Sequence, residues 1–465
     1  MLIFSRQLGL LSQILSKHTQ AFQYLLRGTS IIQSRYEKSN GQPFEVFAPD
    51  NRYVFVSSDE HIQEVNSAPD TVLSLQGASK QMLQPVYTMS RFNWFNVRGT
   101  EGVGFVRTLR TLLTNNLPNI LPQLGALNAI QFATALEKQP VVNGSTHCKI
   151  YPVIVDMVVV SNAVSFFGAD LVFLARAKDY IEETLICAEI VRLVPKFLSP
   201  IIGRIISRYL VSQDTIFDTL LPIAEQRCQE RDHAKLGRPV PKHSDCIQWI
   251  METSPRQKPW SPQRVVHELM AIWFGSVHAL STTIVFAVHD LCLHPEYIAP
   301  LRVELERGYS QFERTAQGLD LLDSFIKESA RLTPVEASKL QQSCQTQFKR
   351  TSDCLLVSTR RSALQPFEFS DGTKLNVGDW ACTPVRSIMQ NAKNYPEPLS
   401  FNGFRFVDPS RVSQCMPEEA APPGLFQPTP SKLTDVDNMW HVWGTGRMAW
   451  YVLTTHNDNA RSVSL

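Results

Sequence analysis

The chain has no Cys-x-x-Cys pair, and its cysteines, at 148, 187, 228, 246, 292, 344, 354, 382 and 415, are odd in number. That pattern argues against a disulfide framework and against a zinc ribbon, and it fits free thiols in a reducing compartment. Charge of either sign is not in excess. Lys plus Arg is 45 and Asp plus Glu is 43, so nothing points to a nucleic-acid partner held by bulk charge. No repeat stands out at solenoid periods. The prolines are scattered, which suits many helix starts and stops rather than a Pro-rich linker. The first residues, "MLIFSRQLGLLSQILSKHTQ", lack an apolar run long enough to span a bilayer, which needs about 20 residues. They also lack a small-residue cleavage site.

What is present is a globular mixture, 43% apolar and 19% charged. Leu8, Leu11, Ile14 and Leu15 fall on one face of an N-terminal amphipathic helix. Two uses are open for residues 1–16: packing against their own domain, or contact with a membrane surface. "PFEVFAPDNRYVFVSS" reads as a hairpin turning at Pro49-Asp50-Asn51, with a strand over 53–58. From about residue 100, helical patterns dominate. Residues 105–118 read as a helix stopped by Asn and Pro, and 150–190 and 195–230 as further helices.

The longest helix starts at Ser261 as N-cap and Pro262 as first residue, and runs to about His294. From Leu269 to Val288 it has no Asp, Glu, Lys or Arg. His267, His278, Ser281, Thr282 and His289 recur at helical spacing, so a polar stripe runs along an apolar rod. A helix crossing the centre of a large domain, with its polar side on a cavity, satisfies both faces better than a lipid-facing span. Further on, "QPFEFSDGTKLNVGDW" turns at Asp371-Gly372 as a hairpin, and residues 409–438 read as a long Pro-rich loop. The whole is mainly α with small peripheral β-sheets.

Three pieces carry chemistry. Glu328 and Arg331 stand at i, i+3 in "FIKESARLTP". Arg405 lies between two phenylalanines in "FNGFRF", where a guanidinium is partly buried and wants a carboxylate. The third is "WHVWGTGRMAW", with Gly444, Gly446 and Arg447. Taken in order along nearly the whole chain, these pieces resemble a cytochrome P-450, a haem-thiolate monooxygenase, of the fungal microsomal type.

The resemblance implies several roles. Glu328, Arg331 and Arg405 would form a buried triad supporting the loop beneath a haem, and Gly444, Gly446 and Arg447 would belong to that loop. Arg361 would contact a haem propionate. The long helix would cover the oxygen-binding face, with His278 at the family's acid position and Ala279 at its Thr position. His278, Ser281 and Thr282 could relay protons through a held water, or could be satisfied core polar groups. The implied partners are haem, NADPH-cytochrome P-450 reductase and an apolar small-molecule substrate, at the endoplasmic reticulum membrane.

The sequence departs from the family pattern at the loop. The axial cysteine aligns with position 450, which is Trp450, and no cysteine follows Cys415. An indole offers only an N–H donor and cannot act as the thiolate. Residues 338–357, rich in Gln, Ser and Thr, read as an insertion, and 450–465 as a tail foreign to the family. The expectation is a single domain over 1–465, C-terminally incomplete, with both odd segments arising from retained intron or gene decay. Two functions follow: a haem-dependent monooxygenase of fungal secondary metabolism, or a catalytically inactive chain of that descent.

Overall fold

The computed structural model describes residues 2–97, 114–167, 174–243, 245–255, 258–334, 358–415 and 429–446. Helix α1 (Leu2–Ser39) is far longer than the N-terminal apolar pattern alone indicates. Tyr24, Gly28 and Ile32 are buried four residues apart, so one stripe of α1 packs against the sheet that follows.

That sheet has five strands: β1 (Phe44–Phe47), β2 (Arg52–Phe55), β3 (Leu73–Ser74), β4 (Ser358–Ala363) and β5 (Trp380–Thr383). Their order is β1-β2-β5-β4-β3. The β1–β2 hairpin forms as its turn residues indicate, and β2 pairs with β5 in parallel, Tyr53 opposite Trp380. Their rings stack at 5.1 Å, an aromatic cross-strand pair that fixes register. Asp371-Gly372 turns the small hairpin 367–375, where Gly372 takes φ +84°.

Helices make up the rest. Between the short α2 (Asp59–Ser67), α3 (Leu75–Leu83) and the longer α4 (Thr114–Glu137) lies part of the segment outside the described residues. Of the helix expected over 105–118, residues 105–113 lie outside the described residues; its expected stop does not hold, since α4 runs through Asn115, Asn116, Pro118 and Pro122. Packing overrides the local cost of proline here. α4 lies along α5 (Ile150–Phe167), and Ser161 bonds Asn128 across the pair. Next come α6 (Leu174–Leu193) and α7 (Val211–Lys235). Residues 409–415 form a short helix rather than loop.

The long helix α8 (Pro262–Leu293) begins as its sequence indicates, with Ser261 Oγ accepting from the Arg264 amide. Val265, Val266, Leu269, Met270, Ile272, Trp273 and Val277 bury against Val155, Val158 and Val159 of α5 and Ile216 and Leu220 of α7. Each such side chain contributes about 1.5–3 kcal/mol. Both α5 and α8 are long and apolar enough to cross a membrane; in this fold each is packed into the same core. The polar stripe does not face one cavity. His267 stacks between Phe92 and Phe217, whereas His289 is 63% exposed. Helices α9 (Ile298–Thr315) and α10 (Asp320–Leu332) complete the frame.

Candidate functional site

Helix α10 supplies the anchor. Its apolar side buries Leu321 and Phe325, and the next positions round the helix turn Lys327, Glu328 and Arg331 inward as well. Glu328 and Arg331, one turn apart, make a two-pronged pair: Nε to Oε2 at 2.7 Å and the terminal nitrogen to Oε1 at 2.8 Å. Arg405 Nε meets both Glu328 oxygens at 3.1 Å. The three are fully buried.

Burial of two guanidiniums against one carboxylate is costly unless every N–H finds an acceptor. Backbone carbonyls supply them. Arg331 donates to Met389 O (2.8 Å) and Pro398 O (2.6 Å), and Arg405 to Pro396 O (2.7 Å) and Ser400 O (3.0 Å). Glu328 Oε1 also accepts from the Asn402 amide at 3.0 Å. The triad thereby ties α10 to the whole 389–405 segment. Gly403 is needed where that segment crosses Tyr297 and Phe325, since a Cβ there would sit 2.6 Å from the Phe325 ring.

A second anchor was not visible in the sequence. Lys327, 1% exposed, lies over the rings of Phe406 (4.7 Å) and Trp440 (4.8 Å). Its ammonium donates to Ser431 Oγ (2.9 Å) and Lys432 O (2.7 Å). Burial pulls its pKa down to about 8, against the pull of Asp435, Asp437 and Asp323. Asp323 accepts from the Leu433 amide at 2.7 Å, and burial pushes its carboxyl up to about 6. The only sequence signal was a lysine beside the buried glutamate.

The glycine loop rises from these anchors. Trp440 and Trp443 both donate to Leu433 O, at 3.1 and 2.8 Å. His441, buried between them, reaches Thr383 Oγ1 (3.1 Å) and Asn438 O (2.8 Å); desolvation lowers its pKa to about 4. Gly444 and Gly446 take φ +85° and +59°. Thr445 Oγ1 bonds Asn66 Oδ1 at 2.8 Å, and a Cβ on Gly446 would come 2.6 Å from Asn66 Cγ. The loop thus closes onto the end of α2. Arg447 and Trp450, like residues 338–357 and 450–465, lie outside the described residues.

The remaining expected site residues lie on β4 and α8. Arg361 is buried in β4 and donates to Arg360 O at 2.9 Å. On α8, Ser281 donates to Val277 O (2.7 Å) and Thr282 to His278 O (2.9 Å). Those bonds use the hydroxyl protons and leave the oxygens as acceptors. The partly buried His278 imidazole has no hydrogen bond to another described residue, and desolvation lowers its pKa.

A family model described as Cytochrome P450 matches residues 30–349. The chain is 27% identical over 366 residues to Cytochrome P450 monooxygenase olcJ of Penicillium canescens, covering 76% of this chain and 63% of that one. It is 26% identical to Cytochrome P450 monooxygenase 151 of Postia placenta, covering 83% and 74%, and 25% identical to paxP of Penicillium paxilli, covering 81% and 70%. The chain therefore spans roughly two thirds of the length of such relatives. Among solved structures, retinoic acid bound cyanobacterial CYP120A1 matches with a TM-score of 0.56 at 15% identity, over 89% of this chain and 82% of that one. That likeness speaks for the fold.

Proposed function

Because this chain belongs to the cytochrome P450 family, we propose that it works as a haem-dependent monooxygenase on an apolar small molecule in fungal secondary metabolism. The observation that carries this reading is the buried Glu328–Arg331–Arg405 triad, placed to hold the segment from which the glycine loop departs. A haem, when bound, would supply oxygen activation. Gly444 and Gly446 let the loop bend close beneath it, and Arg361 would meet a propionate. The triad and Lys327 keep the loop's approach fixed, which lowers the reorganisation needed at reaction.

On α8, His278 is the residue we assign to hold a proton. Burial keeps it neutral at pH 7, so its free nitrogen can accept from a water. Ser281 and Thr282 would orient such a water through their acceptor oxygens. An NADPH-dependent reductase would be the electron partner, and the endoplasmic reticulum membrane the site of action.

The donor set fits the group only in part. The anchors of the loop are in place up to Gly446, but the aligned ligand position holds Trp450, and Cys382 and Cys415 belong to β5 and to the helix at 409–415. Trp450 at that position does not supply the thiolate. Trp450 favours a second reading, a catalytically inactive chain on the same scaffold. The two separate in one assay: the full chain, supplied with haem, a P450 reductase and NADPH, is offered apolar terpenoid probes. The first reading expects a product carrying one oxygen from dioxygen. NADPH consumption without product, or neither, supports the second.

A further inference from the structure

Helix α1 and strand β1 enclose a groove of about 350 Å³, within the size range of small-ligand sites. The helix side of it is a stripe at 23, 27, 30, 34 and 38, one face at helical spacing. The adjacent face, with Tyr24 and Ile32, already buries α1 on the sheet. The stripe is therefore not needed for packing, yet it is ordered in charge. Arg27, Arg35 and Lys38 line the groove with Ser30 and Ser34 between them, and among the described residues no carboxylate lines it.

Acids close by are engaged elsewhere. Glu45 pairs with Arg52 at 2.5 Å, and Glu37 accepts from Gln33 at 2.9 Å. Arg35 is steadied by a bond to the Glu45 carbonyl, which aims its guanidinium without neutralising it. Arg27 and Lys38 have no hydrogen bond or ion pair with another described residue. Arg27 also sits where α1 breaks helical geometry, at φ −140° and ψ 26°. The interruption falls mid-groove, and kinks need a local cause. Arg35 and Lys38, one helical turn apart on the groove, are like charges that an anion would join.

We propose that this groove binds a phosphate group, either free or on a phospholipid headgroup. Guanidinium forks match phosphate oxygens two at a time, Lys38 adds a point charge, and the serine hydroxyls can donate to the remaining oxygens. A headgroup source would place α1, whose first half carries the apolar face, along a membrane surface. The site is independent of the haem reading.

The test uses the full chain with two probes: inorganic phosphate by calorimetry, and sedimentation with phosphatidylcholine vesicles with or without phosphatidic acid. The variants are Arg27→Gln/Lys38→Gln and the charge-keeping Arg27→Lys/Lys38→Arg. Both side chains are exposed, so neither pair disturbs the core. Saturable binding should weaken at least about ten-fold in the neutral pair and stay within a few-fold in the charge-keeping pair. Binding of free phosphate identifies a soluble ligand; binding of phosphatidic acid vesicles alone identifies the headgroup. No saturable binding of either probe overturns the proposal. So does a neutral pair that binds like the unaltered chain, or phosphate displaced equally by chloride at matched ionic strength.

Discussion

Two three-charge clusters of opposite balance, two cations on one carboxylate and two carboxylates on one cation, sit in different surroundings. Glu328 with Arg331 and Arg405 is fully buried, whereas Arg52 with Glu45 and Asp379 lies at the sheet's edge, where Glu45 is 45% exposed. The distances are alike, at 2.5–3.1 Å. Their consequences differ because water can replace a partner only at the edge. The buried cluster is committed: every group lost leaves an uncompensated charge or an unmet donor. Its carbonyl acceptors also come from 389–400, so it fixes a stretch of irregular chain that has no ladder of its own. The edge cluster steadies a hairpin that the β-ladder already holds.

The largest effect should follow Glu328→Gln or Arg405→Met. Either should cost roughly 3–5 kcal/mol in denaturant unfolding, and proteolysis should open near 389–405 first. An edge-sized loss would break the comparison.

Next in size are the buried titrating groups around the loop. Lys327 has a folded pKa of about 8 against 10.5 for the free group. Between those values the unfolded chain binds more protons at this site, so stability rises with pH, by at most about 1.4 kcal/mol per unit. Lys327→Met should flatten that rise. His441, at about 4 against 6.5, gives stability that is lost as pH falls through that window. Asp323, raised from 3.8 to about 6, works the other way: the folded state holds the proton longer, and stability falls as pH climbs from 3.8 to 6. Asp323→Asn should therefore steepen the acid-side rise, and His441→Asn should flatten it, both read from unfolding midpoints at several pH values.

Gly446→Ala should cost roughly 1–2 kcal/mol for its left-handed backbone alone. Adding Asn66→Ala should recover only some of the contact cost, since the Asn66 Cβ, 2.9 Å from the added Cβ, remains. The smallest effect belongs to Arg52→Ala, below about 1 kcal/mol and weaker still at high salt.

These contrasts also explain what could be read ahead of the structure. The start of α8 was legible because Ser261-Pro262 is a local signal, and the hairpins because their turns are local too. Glu328 and Arg331 at i, i+3 and Arg405 between two phenylalanines were visible locally, but that the three meet in one buried triad was implied only by the family resemblance. Lys327 was not, because Phe406, Ser431 and Trp440 come from distant segments and nothing near residue 327 announces them. The prolines of α4 misled for the same reason: the packing on α5 that overrides them is tertiary. The polar stripe of α8 follows helical spacing correctly, yet its members meet different neighbours, so one periodicity hides three environments.

The central claim is that this P450-family scaffold serves the proposed haem-dependent monooxygenase, which needs a thiolate where the sequence has Trp450. The reduced, carbon-monoxide-bound absorption spectrum of the full chain loaded with haem tests it most directly. The monooxygenase reading predicts a thiolate-type Soret band, weakened in Glu328→Gln because the loop's support is lost. Haem uptake without that band, or no uptake at all, would contradict it and leave the inactive scaffold.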